Sequence, residues 1–217
     1  AQTDLKRLVA YSSISHMGYV MLGMSAFTPH GINGAVFQMF NHGCITAMLF
    51  LLVGVIYDQA HHRYIVFPND YQDPELRGQL GFGGLWSHMP VYGSITMVAY
   101  FAALGLPGLS GFISEVLCFL GAFTVHRGLT ILGTIGVLLG AAYMLWAFQR
   151  LFMGPFNERN DFLVEVSGRE IFTLAPLAIV IVILGIYPAP VLDLIGPSLG
   201  ELSKLLGGGA GIAMNGF

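Results

Sequence analysis

From Ile32 to Tyr57 the chain carries no Asp, Glu, Lys or Arg. A helix of about 20 apolar residues crosses the roughly 30 Å hydrocarbon core of a bilayer, so an uncharged run of this length belongs in a membrane. Comparable runs fall at Leu8–Phe27, Val91–Phe123, Leu129–Phe152 and Ile171–Tyr187. None alternates in polarity as a membrane β-barrel strand does. Turn residues separate them, as in Thr28-Pro29-His30-Gly31 and Met153-Gly154-Pro155. The expected fold is all-α: a polytopic membrane protein of about five transmembrane helices, with residues 1–217 forming one transmembrane unit.

Composition agrees, at 55% hydrophobic and only 10% charged residues. Nine Lys and Arg against a net charge of −3 leave no basic stripe for nucleic acid. Cys44 and Cys118 lie far apart in apolar runs, without the paired spacing of a zinc or iron–sulfur site, and are expected to pack as small apolar side chains. Threading the runs back and forth places Lys6, Arg7, Arg63, Arg77, Arg150, Arg159 and Arg169 on one side and Arg127 and Lys204 on the other. The positive-inside bias then turns the N-terminal end and the loops near 58–88 and 153–170 inward, and the tail after Pro188 outward. Trp86, Tyr92, Trp146 and Tyr187 fall near helix ends and read as interfacial anchors. The opening Ala-Gln-Thr-Asp, with no signal-peptide pattern, reads as the start of a piece of a longer protein.

The run Val91–Phe123 is too long for one straight span, at about 50 Å. Residues 105–111, GLPGLSG, break it: Gly105, Pro107, Gly108 and Gly111 withdraw a donor and a side-chain constraint where a helix needs both. Non-helical backbone at membrane depth is tolerated only when buried in protein or lining a wet cavity. Glu115 follows at once, expected in the first turn of the second half-helix. The helix dipole there favours a carboxylate by only about 0.3–1 kcal/mol, less than the several kcal/mol of desolvation, so the acid needs water or a cation nearby. Glu115 reads as a poised proton-relay group; the bland alternative is a neutral acid capping loose backbone.

His16 and His42 lie at similar depth. Ser12, His16 and Tyr19 share one helical face, and Gln38, Asn41, His42 and Thr46 share another. Imidazole titrates nearest neutral pH, and hydroxyl and amide neighbours hold water, so both histidines are relay candidates; each could also be a plain interhelical hydrogen bond. No metal is expected: His16, His42 and Glu115 come from separate helices with no local HExxH pair. His61 and His62 read as solvated loop residues beside Arg63, and His30, His88 and His126 as interfacial. The polar loop with Asp70, Asp73, Glu75 and Arg77 has no phosphate loop or nucleophile elbow.

The stretches DLKRLVAYSSISHMGYVMLG, GAVFQMFNHGCITAMLFLLVGVIYD, FGGLWSHMP and GLPGLSGFISE closely resemble, in order and spacing, the antiporter-like membrane subunits of respiratory complex I. The M-type branch, to which the mitochondrial chain 4 subunit belongs, is the nearest in pattern. The resemblance implies a fourteen-helix fold of inverted repeats, of which this chain is the C-terminal part, helices ten to fourteen. It implies that His16 and His42 match the central-axis histidines of helices ten and eleven, and that Glu115 matches the ionisable residue of the broken twelfth helix, where L-type and N-type relatives usually carry lysine. The family's glutamate of helix five and lysine of helix seven have no counterpart here. Two departures stand out: a longer loop over Tyr64–Leu80, and His62 where the family commonly has Thr. The implied function is proton translocation coupled to NADH:quinone oxidoreduction, with no cofactor on this chain and with NADH, FMN, iron–sulfur clusters and quinone in partner subunits. Implied partners are the neighbouring L-type and N-type subunits and the lipid of a bacterial plasma membrane or mitochondrial inner membrane, or a thylakoid. A subunit of a multisubunit Na+/H+ exchanger or of a membrane-bound hydrogenase, or a passive membrane scaffold, are the alternatives.

Overall fold

A computed structural model describes residues 2–214. The described residues form helices α1 (Leu5–Ser25), α2 (Pro29–Ala60), a single turn α3 (Leu85–His88), α4 (Pro90–Ala103), α5 (Ser110–Phe123), α6 (Arg127–Phe152), α7 (Gly168–Ile186) and α8 (Ala189–Met214). Three of these, α2, α6 and α7, are each long and apolar enough to cross a bilayer. The 21-residue α1 starts with Lys6 and Arg7 close behind Leu5 and carries the stripe of Ser12, Ser13, Ser15 and His16, which lowers its apolarity. Helices α4 and α5 have 14 residues each, about 21 Å apiece, and only together reach across a membrane.

Local chemistry sets the helix ends. Asp4 caps α1, accepting from the amides of Lys6 (2.8 Å) and Arg7 (3.2 Å), while its other oxygen accepts from Arg63 Nε at 2.8 Å. Thr28 Oγ1 accepts from Gly31 N at the start of α2, with Pro29 in the first turn. Ser167 and Glu170 form a reciprocal capping box on α7.

The main hydrophobic core lies among α1, α2, α4, α6 and α7, around Met48, Leu52, Met89 and Phe148, while α1, α2 and α5 cross closely beside it where glycines let them meet. A Cβ on Gly34 of α2 would lie 2.6 Å from the backbone N of Cys118 on α5, so no larger residue lets these helices meet. Cys118 is fully buried in that crossing, as a small packing residue. The N-terminal segment, the loop 61–84 and the loop 153–167 gather at one end. There Leu5 N bonds to Arg63 O (2.9 Å), the Gln59 amide exchanges two bonds with the Val164 backbone (2.7 and 3.1 Å), and Glu165 accepts from the amides of Val91 and Tyr92 at the start of α4 (2.9 Å each). At the opposite end, Ser203 of α8 donates to Phe27 O at 3.0 Å. The residues after Pro188, read from sequence as a tail, are thus a helix seated on the α1–α2 turn.

Tyr92 departs from the anchor role that its position suggested. It is 2% exposed, and its hydroxyl donates to Leu52 O at 2.9 Å. A phenol with a buried acceptor waiting has no need of the interface.

Candidate functional site

The break lies between Leu104 and Leu109, with Gly105 at φ 77° and Gly108 at φ 93°. Its backbone is not left wanting: the amides of Leu104 and Leu106 reach the carbonyls of Tyr100 (2.9 Å) and Phe101 (3.0 Å), and Leu109 N reaches Leu106 O (3.1 Å). Gly185 of α7 lies so close to the backbone of Gly108 and Leu109 that no Cβ would fit, so α7 seals one side. Gly111 belongs to the first turn of α5 rather than to the break; its missing Cβ lets Ala102 O approach.

Glu115 sits in the second turn of α5, one turn deeper than the sequence suggested, beyond the reach of most of the dipole effect. Its side chain leans back toward the break, as long helical side chains do. A Cβ on Gly105 would lie 2.9 Å from Glu115 Oε2, so the glycine supplies both the left-handed turn and the space for the carboxylate. The other oxygen, Oε1, lies 2.9 Å from His16 Nδ1, with both residues buried. His16 is thus the hydrogen-bond partner that the desolvated acid required. At this distance one proton serves both groups: Nδ1–H donates to a carboxylate, or a carboxyl O–H donates to neutral Nδ1.

His42, half-buried on α2, brings its ring centroid to 5.0 Å from that of His16. Thr46 Oγ1 lies 3.0 Å from His42 Nε2, one helical turn on. Tyr19 stands edge-on to His16 with centroids 5.7 Å apart, and its hydroxyl accepts from Ser15 Oγ at 3.3 Å. The structure therefore gathers His42, Thr46, His16, Tyr19 and Glu115 into one line from α2 through α1 to α5. Ser12 is close by, but its hydroxyl donates to Val9 O in its own helix (2.7 Å).

Gln38 and Asn41 point elsewhere. Asn41 Nδ2 donates to Ser110 O (3.0 Å) and Ser114 Oγ (3.1 Å), and Ser114 Oγ donates to Gln38 Oε1. This second polar cluster clamps α2 to the first turns of α5. Ser110 and Ser114 were not singled out from sequence; the spacing SGFISE places them on the face of the break, a signal too common among serines to weigh alone.

His62 is packed rather than solvated. Its ring stacks on Phe82 at 4.6 Å and meets Phe67 at 5.1 Å, and its buried Nδ1 has no partner among the described residues. Burial holds its pKa below the ordinary histidine value. His88 likewise stacks on Phe156 at 4.6 Å and bonds through Nε2 to Leu163 O at 2.7 Å. In the same loop as His62, Arg77 Nε donates to Tyr71 O at 2.8 Å, within a bend rather than to a neighbouring acid.

A helical membrane fold with a broken span and an ionisable line at its depth defines an integral membrane protein of antiporter-like design. Residues 1–141 match the family NADH:quinone oxidoreductase/Mrp antiporter, TM, and the chain belongs to that family. NADH-quinone oxidoreductase subunit M of Rhodobacter capsulatus is 43% identical over 203 residues, covering 93% of this chain and 37% of the relative. The chain thus spans a little over a third of the length of the curated relatives it matches. A chain of respiratory complex I from Thermus thermophilus superposes with a TM-score of 0.82 at 30% identity, over 94% of this chain and 40% of that one. A chain of the Mrp complex from Dietzia sp. superposes with a TM-score of 0.78 at 18% identity, over 94% and 44%, a likeness of fold alone.

Proposed function

We propose that this chain is the C-terminal part of an M-type proton-translocating subunit of NADH:quinone oxidoreductase. The observation that carries the reading is the buried pair of His16 Nδ1 and Glu115 Oε1 at 2.9 Å, with the His42 ring 5.0 Å from that of His16. Protonation of His16 from the His42 side favours ionised Glu115. Protonation of Glu115 releases His16 to the neutral form. Each group sets the charge state of its neighbour, and an alternating pair of this kind moves protons one step at a time. The left-handed turn at Gly105 keeps the carboxylate against His16 rather than in the α5 backbone.

Electron transfer is assigned to partner subunits that hold NADH, FMN, iron–sulfur clusters and quinone, and no redox step to this chain. Its neighbours would be the L-type and N-type subunits in a bacterial plasma membrane, with the end that holds Asp4, Arg63 and Glu165 facing the cytoplasm. The test is Glu115→Gln in the full-length subunit of an assembled complex, reconstituted in vesicles. Glutamine keeps the shape and the hydrogen bond but not the titrating proton, so the complex should assemble while proton pumping and coupled quinone reduction fall. Pumping at the unaltered rate would overturn the relay and leave Glu115 a structural plug.

A further inference from the structure

His42 gives the pair one neighbour for proton exchange, on the α2 side; a second borders it on the α6 side. Beside the His16–Glu115 pair lies a small pocket with a volume of about 10 Å³, enough for one water molecule. Its lining is polar where polarity is useful: Ser15, His16, Tyr19, Glu115 and Tyr143 border it, with Gly140 on the α6 side. A buried water needs two to four polar partners, and four of these side chains end in a hydroxyl or carboxyl group. A second pocket of about 210 Å³, lined by Gln2, Leu8, Tyr11, Ser15 and Tyr143, lies on the side of the N-terminal end of α1. Ser15 and Tyr143 border both, so they form the wall between them. On the third side the pair meets a mainly apolar groove lined by residues such as Phe112, Phe119 and Val137, whose two hydroxyls, on Thr130 and Thr134, are spent on His126 O and Ile131 O in their own helix.

We propose that the small pocket is a single-water site, and that Tyr143, seconded by Ser15, passes protons through it between the larger pocket and the His16–Glu115 pair. The inference rests on the relay reading above and adds two residues to it. The step balances without any net ionisation of the wall. The Tyr143 oxygen accepts a proton from the outer side as its own hydroxyl proton passes to the water, and the water releases one of its protons to His16 or Glu115. Each oxygen ends with as many protons as it began. Tyr143 is suited to this because its hydroxyl leans back over Gly140: a Cβ built on Gly140 would lie 3.9 Å from it.

That geometry supplies a sharp test in the full-length subunit of the assembled complex. Tyr143→Phe removes only the hydroxyl, and pumping should fall several-fold at unchanged assembly. Gly140→Ala keeps every polar side chain and favours the helix, yet its methyl group takes the space of the water; pumping should fall here too, while stability is held or raised. The gain in helix stability separates this from damage to packing. Glu115→Gln is the control measured alongside. If it abolishes pumping while either Tyr143→Phe or Gly140→Ala pumps at the normal rate, the water passage is overturned and the relay reading stands. If Glu115→Gln itself pumps normally, the relay reading fails and this inference with it.

Discussion

Two buried polar clusters share helix α5 and differ in whether their members titrate. Around Ser114, two side-chain amides, the Ser114 hydroxyl and the Ser110 carbonyl tie α2 to α5 through neutral groups, with Asn41 reaching both Ser110 O and Ser114 Oγ. At the next residue, Glu115 ties α5 to His16 of α1 through a single ionisable contact of 2.9 Å. A neutral network is worth most when every bond stays closed. An ionisable pair is worth least as glue, since burying it costs roughly what the contact returns, and is useful because its proton can leave. On the relay reading, the clamp at Ser114 holds α5 against α2 while the pair beside it changes charge.

Substitutions should separate the two clusters cleanly. The largest effect is expected from Glu115→Lys, which sets a second cation against His16 and forbids the protonated imidazole: pumping in reconstituted complex should be lost, more completely than in Glu115→Asp, where a shorter acid retains part of it. Asn41→Ala and Ser114→Ala should act on the other axis, each costing about 1–3 kcal/mol by stranding buried partners, so that less complex assembles but what assembles still pumps. A normal yield with lost pumping in Asn41→Ala would place the clamp in the relay instead. Thr46→Val, which removes one hydrogen bond from half-buried His42, should cost about 0.5–1.5 kcal/mol and slow pumping only modestly.

His62 sharpens the contrast from outside the membrane, because it is a packed histidine with no carboxylate. Its folded pKa is depressed by burial. Below the unfolded histidine value of about 6.5 the unfolded loop therefore binds the proton more readily, and loop stability falls as pH drops through that value toward the folded pKa. Protection factors of the Phe67 and Gly81 amides, which divide out the intrinsic pH dependence of exchange, should fall on acidification in the native protein and lose that dependence in His62→Phe. An unchanged dependence in the variant would assign it to another group.

Much of this was written in the chain. Long apolar runs announce the spans, Gly105 and Pro107 announce the break, and the scarcity of ionisable groups at depth singles out His16, His42 and Glu115. The partners of the stripe residues were not legible. Successive helical residues turn by about 100°, so Asn41 and His42 diverge enough to face different neighbours, Asn41 toward α5 and His42 toward α1. Spacing within one helix shows which residues share a face, but the crossing at Gly34 and Cys118 decides what each face meets. The same holds for Tyr92, read from sequence as an interfacial anchor, and His62, read as solvated: the Tyr92 hydroxyl is taken by Leu52 O and the His62 ring by Phe82. Helix α8 was hidden by its own Pro197 and by a glycine-rich end that reads as loop.

Whether the Glu115 carboxyl changes protonation during turnover is read most directly by infrared difference spectroscopy of the assembled complex, comparing resting and turning-over enzyme. A protonated-carboxyl band that rises or falls with turnover, shifts in deuterated water and is missing in Glu115→Gln is the predicted result. A Glu115 band identical in the two states, or its absence from both, would contradict a proton exchanged between Glu115 and His16.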